Sequence, residues 1–268
     1  MPRWVRGLAL VALISPTLAS QAFAKDGDGM VGPKMAAPPK ADRVPFKAPL
    51  PPPKLEDVVE KGMQQPELLI RFVEAHPDKF RGGGVPVDVV RILAPMLLQA
   101  DRAFEAENML AQGVKMAPED GQMQLSHGRV LLALGQRPGA IKALEKAVEL
   151  MPASAEAHFT LARAYLEKRP YDDALLRKSI EVFGKTLEIA PSFRGPEGAT
   201  TADIYFEIGM AYARMSRRTP QTAIGMRDAW VKALEIDPKF KPRSNPEVNA
   251  TQLKQVISDL NKQLGESP

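Results

Sequence analysis

The sequence contains no cysteine, which excludes disulfide bonds, thiolate nucleophiles and cysteine-held metal sites. Histidine is scarce, with three residues in the chain. His76 abuts a proline at a helix end and His127 sits beside Gly128, positions that suit packing or surface rather than catalysis. No His-Glu-x-x-His motif and no Gly-x-Ser-x-Gly elbow occurs. Gly82-Gly83-Gly84 is followed by Val85-Pro86-Val87, not by the Gly-Lys-Ser/Thr that a phosphate loop requires, and the glycine run reads as a flexible joint. Asp26-Gly27-Asp28-Gly29 invites a calcium reading, but the twelfth position, where a calcium loop carries Glu, is Ala37. Aspartate and glutamate are spread over helix faces. These absences predict a chain that is not an enzyme and has no cofactor and no metal.

Neither sign of charge dominates. There are 36 basic and 32 acidic residues, a formal net charge of +4. Arg3 and Arg6 belong to the leader described next, and without them the balance is +2, so no nucleic-acid partner is expected. A run long enough to span a membrane is also missing. Gly7 to Leu18 is mostly apolar, but it is short and interrupted by Ser15 and Pro16. Arg3 and Arg6 precede this run, and Ala22-Phe23-Ala24 follows with small residues where a signal peptidase reads. Residues 1–24 therefore read as a signal peptide cleaved after Ala24, which predicts a periplasmic or secreted protein. No cysteine lies near the site for a lipid anchor, and the lack of an Arg-Arg pair favours the general secretory route.

Residues 25–53 read as a disordered linker. Eight prolines fall between Pro33 and Pro53, a density that gives polyproline II character and prevents core packing. Six basic residues stand against three acidic ones from Lys25 to Lys54. The segment serves as a spacer, or docks on an acidic surface; the spacer reading is favoured.

The remainder is helical. Residues 121–154 hold two helices and a turn. Leu125, Gly128, Leu131 and Leu132 recur at helical spacing, Gly135 to Gly139 breaks the pattern, and Ala140, Leu144, Ala147 and Val148 resume it until Pro152. Residues 54–86 read as an N-terminal helical cap, with Leu55, Val58, Val59 and Met63 on one stripe and Leu69, Ile70, Phe72 and Val73 after Pro66. Residues 246–268 read as a C-terminal capping helix built on Leu253, Val256, Ile257 and Leu260.

Counted from Gly121, the 121–154 segment resembles a tetratricopeptide repeat. Gly128, Leu131, Ala140, Leu144, Ala147 and Pro152 take positions 8, 11, 20, 24, 27 and 32 of that motif, although Gln124 replaces its tryptophan at position 4. From Ala155, Leu161, Ala162 and Tyr165 match, then Ser179, Phe183, Thr186 and Pro191 after five extra residues; His158 takes the aromatic position 4. From Ala202, Tyr205, Ile208, Gly209 and Tyr212 match, then Met226, Trp230, Ala233 and Pro238, again five residues late. A weaker copy from Val87 carries Ala94, Leu97, Ala106, Leu110, Gly113 and Pro118, with Pro95 inside its first helix. The endings AVELMP, TLEIAP and ALEIDP agree. The expected repeats are 87–120, 121–154, 155–193 and 202–240 within an array reaching residue 245, and the five-residue insertions are expected to enlarge turns. The resemblance implies an all-α solenoid of about four helix pairs with capping helices at each end, since such a stack must cover its terminal faces.

In this family a concave groove is lined by positions 2, 5, 9 and 12 of successive first helices. Carried over, these are Gln122, Leu125, Arg129 and Leu132; Glu156, Phe159, Arg163 and Leu166; and Asp203, Phe206, Met210 and Ala213. The implied site has an apolar floor with Arg129 and Arg163 one repeat apart, suited to a peptide or helix that brings apolar anchors and a carboxylate. The chaperone-tail type places Lys at position 5 and Asn at position 9, which Leu125, Arg129, Phe159 and Arg163 do not match. The expected function is an exported adaptor or scaffold that binds a protein or peptide during envelope assembly. The alternative is a structural subunit whose repeats mediate oligomerisation without a peptide ligand.

Overall fold

The computed structural model describes Arg71, Phe72, Ala75 and residues 87–265. The expected signal peptide, the proline-rich linker and, those three residues apart, the N-terminal cap lie outside the described residues. From Val87 to Leu264 there are nine α-helices: α1 (Val87–Gln99), α2 (Ala103–Met116), α3 (Gly121–Ala133), α4 (Arg137–Leu150), α5 (Ala155–Glu167), α6 (Asp173–Ile189), α7 (Thr201–Arg214), α8 (Pro220–Ile236) and α9 (Ala250–Leu264). Among the described residues the β-pairing consists of an isolated bridge between Arg194 and Thr200. The protein is an all-α solenoid. α1 with α2, α3 with α4, α5 with α6 and α7 with α8 form four hairpins, and α9 closes the last against α8.

Glycine allows the tight approach inside these hairpins. A β-carbon on Gly128 of α3 would stand 2.5 Å from Leu144 Cγ of α4. One on Gly209 of α7 would stand 2.2 Å from the indole nitrogen of Trp230 on α8. Trp230 is fully buried, and its indole N–H donates to the Phe206 carbonyl at 3.2 Å. Gly135, with φ of +72°, makes the left-handed turn between α3 and α4, and Pro138 sits in the first turn of α4, where its missing N–H costs nothing.

The N-termini of the later helices are capped by side chains, which satisfies otherwise orphaned backbone N–H groups. Asp120 accepts from Met123 N–H on α3, Ser154 from Ala157 N–H on α5, and Thr200, Thr219 and Asn249 form capping boxes on α7, α8 and α9. The five-residue insertions do less to the turns than expected. α6 and α8 have 17 residues against 14 in α2 and α4, so three of the five extend the second helix by nearly a turn. The remaining two lengthen the preceding turn, which is 168–172 or 215–219 against 134–136.

Successive clusters of buried residues run along the stack, and its ends are covered. Phe72 packs with Val89, Val90, Leu93 and Leu97 at one end. At the other, Leu253, Val256 and Leu260 of α9 join Phe206, Trp230 and Phe240. α9 ends at Gly265 in the left-handed conformation, a favoured helix stop.

Candidate binding groove

The first helices of successive hairpins touch one another, α1 with α3, α3 with α5 and α5 with α7, more closely than the second helices do. In a curved stack the layer whose members approach is the inner one. The face of α3, α5 and α7 is therefore where the residues at positions 2, 5, 9 and 12 converge.

The structure places these residues at very different depths. Gln122 is exposed, while Arg129, Leu132, Glu156 and Arg163 are half-buried. Leu125, Phe159, Leu166, Phe206, Met210 and Ala213 are buried, none more than 4% exposed. Asp203 is also buried. The expected apolar floor is thus part of the core rather than an open row, and this corrects the sequence reading. The cause lies in the connections between hairpins. Phe193, which follows α6, lies 4.9 Å from the Phe159 ring, centroid to centroid. Phe240, which follows α8, lies 5.9 Å from Phe206. Leu125 is covered differently, in a cluster with Leu144, Ala147, Ala157 and Leu161.

The two arginines are not free cations either. Arg129 bonds Glu156 at 2.9 Å, so a predicted groove residue on α3 is paired with one on α5. Arg163 bonds Glu167 at 3.1 Å on its own helix, and its guanidinium lies 5.9 Å from the Phe159 ring centre. Arg137 reaches the same Glu167 carboxylate at 3.7 Å. Burial opposes the Arg163 charge, but Glu167, Glu207 and Glu197 outweigh it and raise its proton affinity.

Glu207, on α7, escaped the sequence reading. It is buried, and burial raises its pKa above the ordinary carboxylate value; the Ser244 hydroxyl and the Arg163 and Arg214 charges pull the other way. Ser244 belongs to the segment between α8 and α9. In the same segment the Arg243 backbone N–H donates to Asp203 Oδ1 at 3.1 Å. The other Asp203 oxygen accepts from Thr200 N–H and Oγ1 at 2.9 and 2.8 Å.

A sequence signal for this cover exists. The residue two places after the repeat-ending proline is the helix cap in the early repeats, Asp120 after Pro118 and Ser154 after Pro152. After Pro191 and Pro238 that place holds Phe193 and Phe240, and the caps come nine and eleven residues on, at Thr200 and Asn249.

Two of the histidines, His127 and His158, lie among the described residues. His158 is buried, with Nδ1 3.0 Å from the Ser154 carbonyl oxygen. His127 has its pKa lowered by burial, partly offset by Glu107 at 3.9 Å. Among the described residues no cluster of His, Asp or Glu is placed to hold a metal, and no helix is long and apolar enough to cross a membrane.

A family model described as TPR repeat matches residues 128–168. Among solved structures, a crystal structure of MamA superposes with a TM-score of 0.51 at 18% identity, covering 77% of this chain and 98% of that one. MamA from Desulfovibrio magneticus RS-1, residue 41 to the end, superposes with a TM-score of 0.53 at 19% identity, covering 68% and 93%. Identities this low speak for the fold alone. The sequence matches no curated protein.

Proposed function

We propose, from the premise that this chain is a tetratricopeptide-repeat protein, that it is an exported adaptor whose inner face binds a protein or peptide during envelope assembly. One observation carries the reading. The half-buried Arg129–Glu156 pair bridges two repeats on the inner face, next to positions held by Gln122 and Leu132. A ligand carboxylate that replaced Glu156 would meet a guanidinium able to donate two parallel hydrogen bonds.

Export is read from Arg3, Arg6, the 7–18 run and Ala22-Phe23-Ala24. N-terminal sequencing of the protein recovered from cells should start at Lys25, and a chain still beginning at Met1 would overturn the compartment. Crosslinking in the native envelope, with a photoreactive residue at Gln122, should trap a partner. The same residue placed on the opposite helix layer, at Lys142, should not. Equal capture from both positions would move binding off the inner face.

The second reading, a subunit that uses the stack to oligomerise, is favoured by Ile236, half exposed on α8, and by the apolar cleft that Val231 and Leu234 form with Ile257 of α9. Light scattering after size exclusion separates the two. A stable oligomer in the absence of ligand supports the second reading.

A further inference from the structure

We infer that the guanidinium groups of Arg137, Arg163, Arg169 and Arg214, gathered at the C-terminal end of α5, form a seat for an acidic segment of a protein partner, a stretch that presents several carboxylates in succession. This rests on the adaptor reading and gives its partner a chemistry. The cluster draws on the second, third and fourth hairpins. Arg163 comes from α5 itself and bonds Glu167, the last residue of that helix, at 3.1 Å. Arg137, from the first turn of α4, approaches the other oxygen of the same carboxylate at 3.7 Å. Arg214, the last residue of α7, donates to the Leu166 carbonyl at 3.3 Å. Its guanidinium also lies 5.3 Å from the centre of the Tyr171 ring, and that of Arg169 lies 5.0 Å from the same ring.

Like charges repel, and the ordinary reasons for crowding them account for part of this cluster only. The carbonyl end of a helix attracts cations, and Arg214 meets that need through Leu166. Glu167 carries one charge and is shared by two arginines. Arg137 has no side-chain hydrogen bond among the described residues: its Nε is buried without an acceptor, and 3.7 Å is too long for one at Nη2. Arg169 is exposed and, among the described residues, has no carboxylate within ion-pair distance. Lys168 adds a further positive charge beside Glu167. The other acids nearby are held by the fold. Asp172 caps α6 at Ala174 N–H, and Asp173 accepts from the Ser216 N–H and hydroxyl at 2.8 and 2.7 Å. Glu207 is buried beside Ser244, and Glu197 acts on Arg163 from a distance.

Tyr171 fixes the geometry. A guanidinium over a ring face is held by the ring's quadrupole, while its edge N–H groups stay free to donate. Arg169 and Arg214 are both held in this way by one ring. Each arginine can take one carboxylate through two parallel hydrogen bonds, so guanidinium groups spaced around a helix end match carboxylates spaced along a chain. An anionic membrane is the weaker match. Arg137 and Arg163 are each only 35% exposed, so a chain can follow them inward where a flat surface meets only the outermost groups.

The probe is a fluorescein-labelled hexaglutamate peptide, titrated by anisotropy into the full chain at low salt, with hexaglutamine as the blank. Arg137→Gln and Arg169→Gln should each weaken binding about tenfold or more, the loss of a charge-assisted hydrogen bond. Glu167→Gln should tighten it about two- to fivefold, because the carboxylate that competes for Arg137 and Arg163 is gone. Glu188→Gln, which removes the same charge at the far end of α6, should leave it unchanged. The Glu167→Gln test reads a gain, which a misfolded variant does not mimic. Arginine variants that keep their helical circular dichroism and bind as wild type overturn the inference. A Glu188→Gln gain equal to that of Glu167→Gln also overturns it, by reducing the effect to net charge. If hexaglutamate does not bind, the inference fails, and binding of phosphatidylglycerol and phosphatidylcholine vesicles through Arg137 and Arg169 would then assign the cluster to lipid. A native partner captured at Gln122 whose affinity ignores Arg137→Gln and Arg169→Gln would sink the acidic seat and leave the adaptor reading standing.

Discussion

The indole nitrogen of Trp230 stands where a side chain on Gly209 would begin, 2.2 Å from the β-carbon position. The ring cannot retreat easily, because it is fully buried and its N–H is bonded to the Phe206 carbonyl. One glycine thus sets the separation of α7 and α8.

This contact predicts opposite outcomes for two Gly→Ala changes. Gly209→Ala should destabilise by about 1–3 kcal/mol through overpacking, more than its gain in helix propensity. Gly184 lies in the interior of α6 with nothing within 4 Å of a built β-carbon. Gly184→Ala should stabilise by about 0.5–1 kcal/mol. Thermal melts check both, and a Gly209→Ala melt at or above wild type would contradict the packing.

Glu207 predicts a pH dependence. Its folded pKa is raised by burial, against the pull of Ser244, Arg163 and Arg214. The folded protein therefore holds this proton more tightly than the unfolded chain. The stability it contributes is fully present below the ordinary glutamate value of about 4.3 and is lost as pH rises through the folded value. Glu207→Gln should abolish that fall, so the variant gains on wild type between acid and neutral pH. Denaturant midpoints across pH check this, and parallel curves would contradict it.

How far the fold was legible follows from particular residues. Gly128, Ala140, Leu144 and Pro152 gave the hairpin because small and large residues at helical spacing admit little else. The position-5 row misled. Leu125, Phe159 and Phe206 share a face by periodicity, but periodicity is silent about what a connecting segment lays over that face. Phe193 and Phe240 are that cover, and their signal was a long proline-to-cap interval rather than any motif. The pairing of Arg129 with Glu156, 27 residues away, was hidden for a similar reason, since it is made by the stacking of hairpins.

Ser179 tests the packing of α5 on α6. Its buried hydroxyl donates to the Ala162 carbonyl at 2.8 Å. Ser179→Ala should cost about 0.5–1.5 kcal/mol, and Ser179→Leu more, through overpacking. Both are read from denaturant midpoints, and equal midpoints for Leu and wild type would contradict the close approach.

The most direct measurement is the affinity of the crosslinked partner for wild type, Arg129→Ala and Glu156→Gln. Arg129→Ala should weaken binding by about 1.5–3 kcal/mol, the worth of a charged hydrogen bond. Glu156→Gln should tighten it by about 0.2–1 kcal/mol, because a competing exposed ion pair is removed. Opposite signs from the two halves of one pair are the predicted result. Affinities that move together, or do not move while both variants stay folded, would contradict a binding role for the inner face.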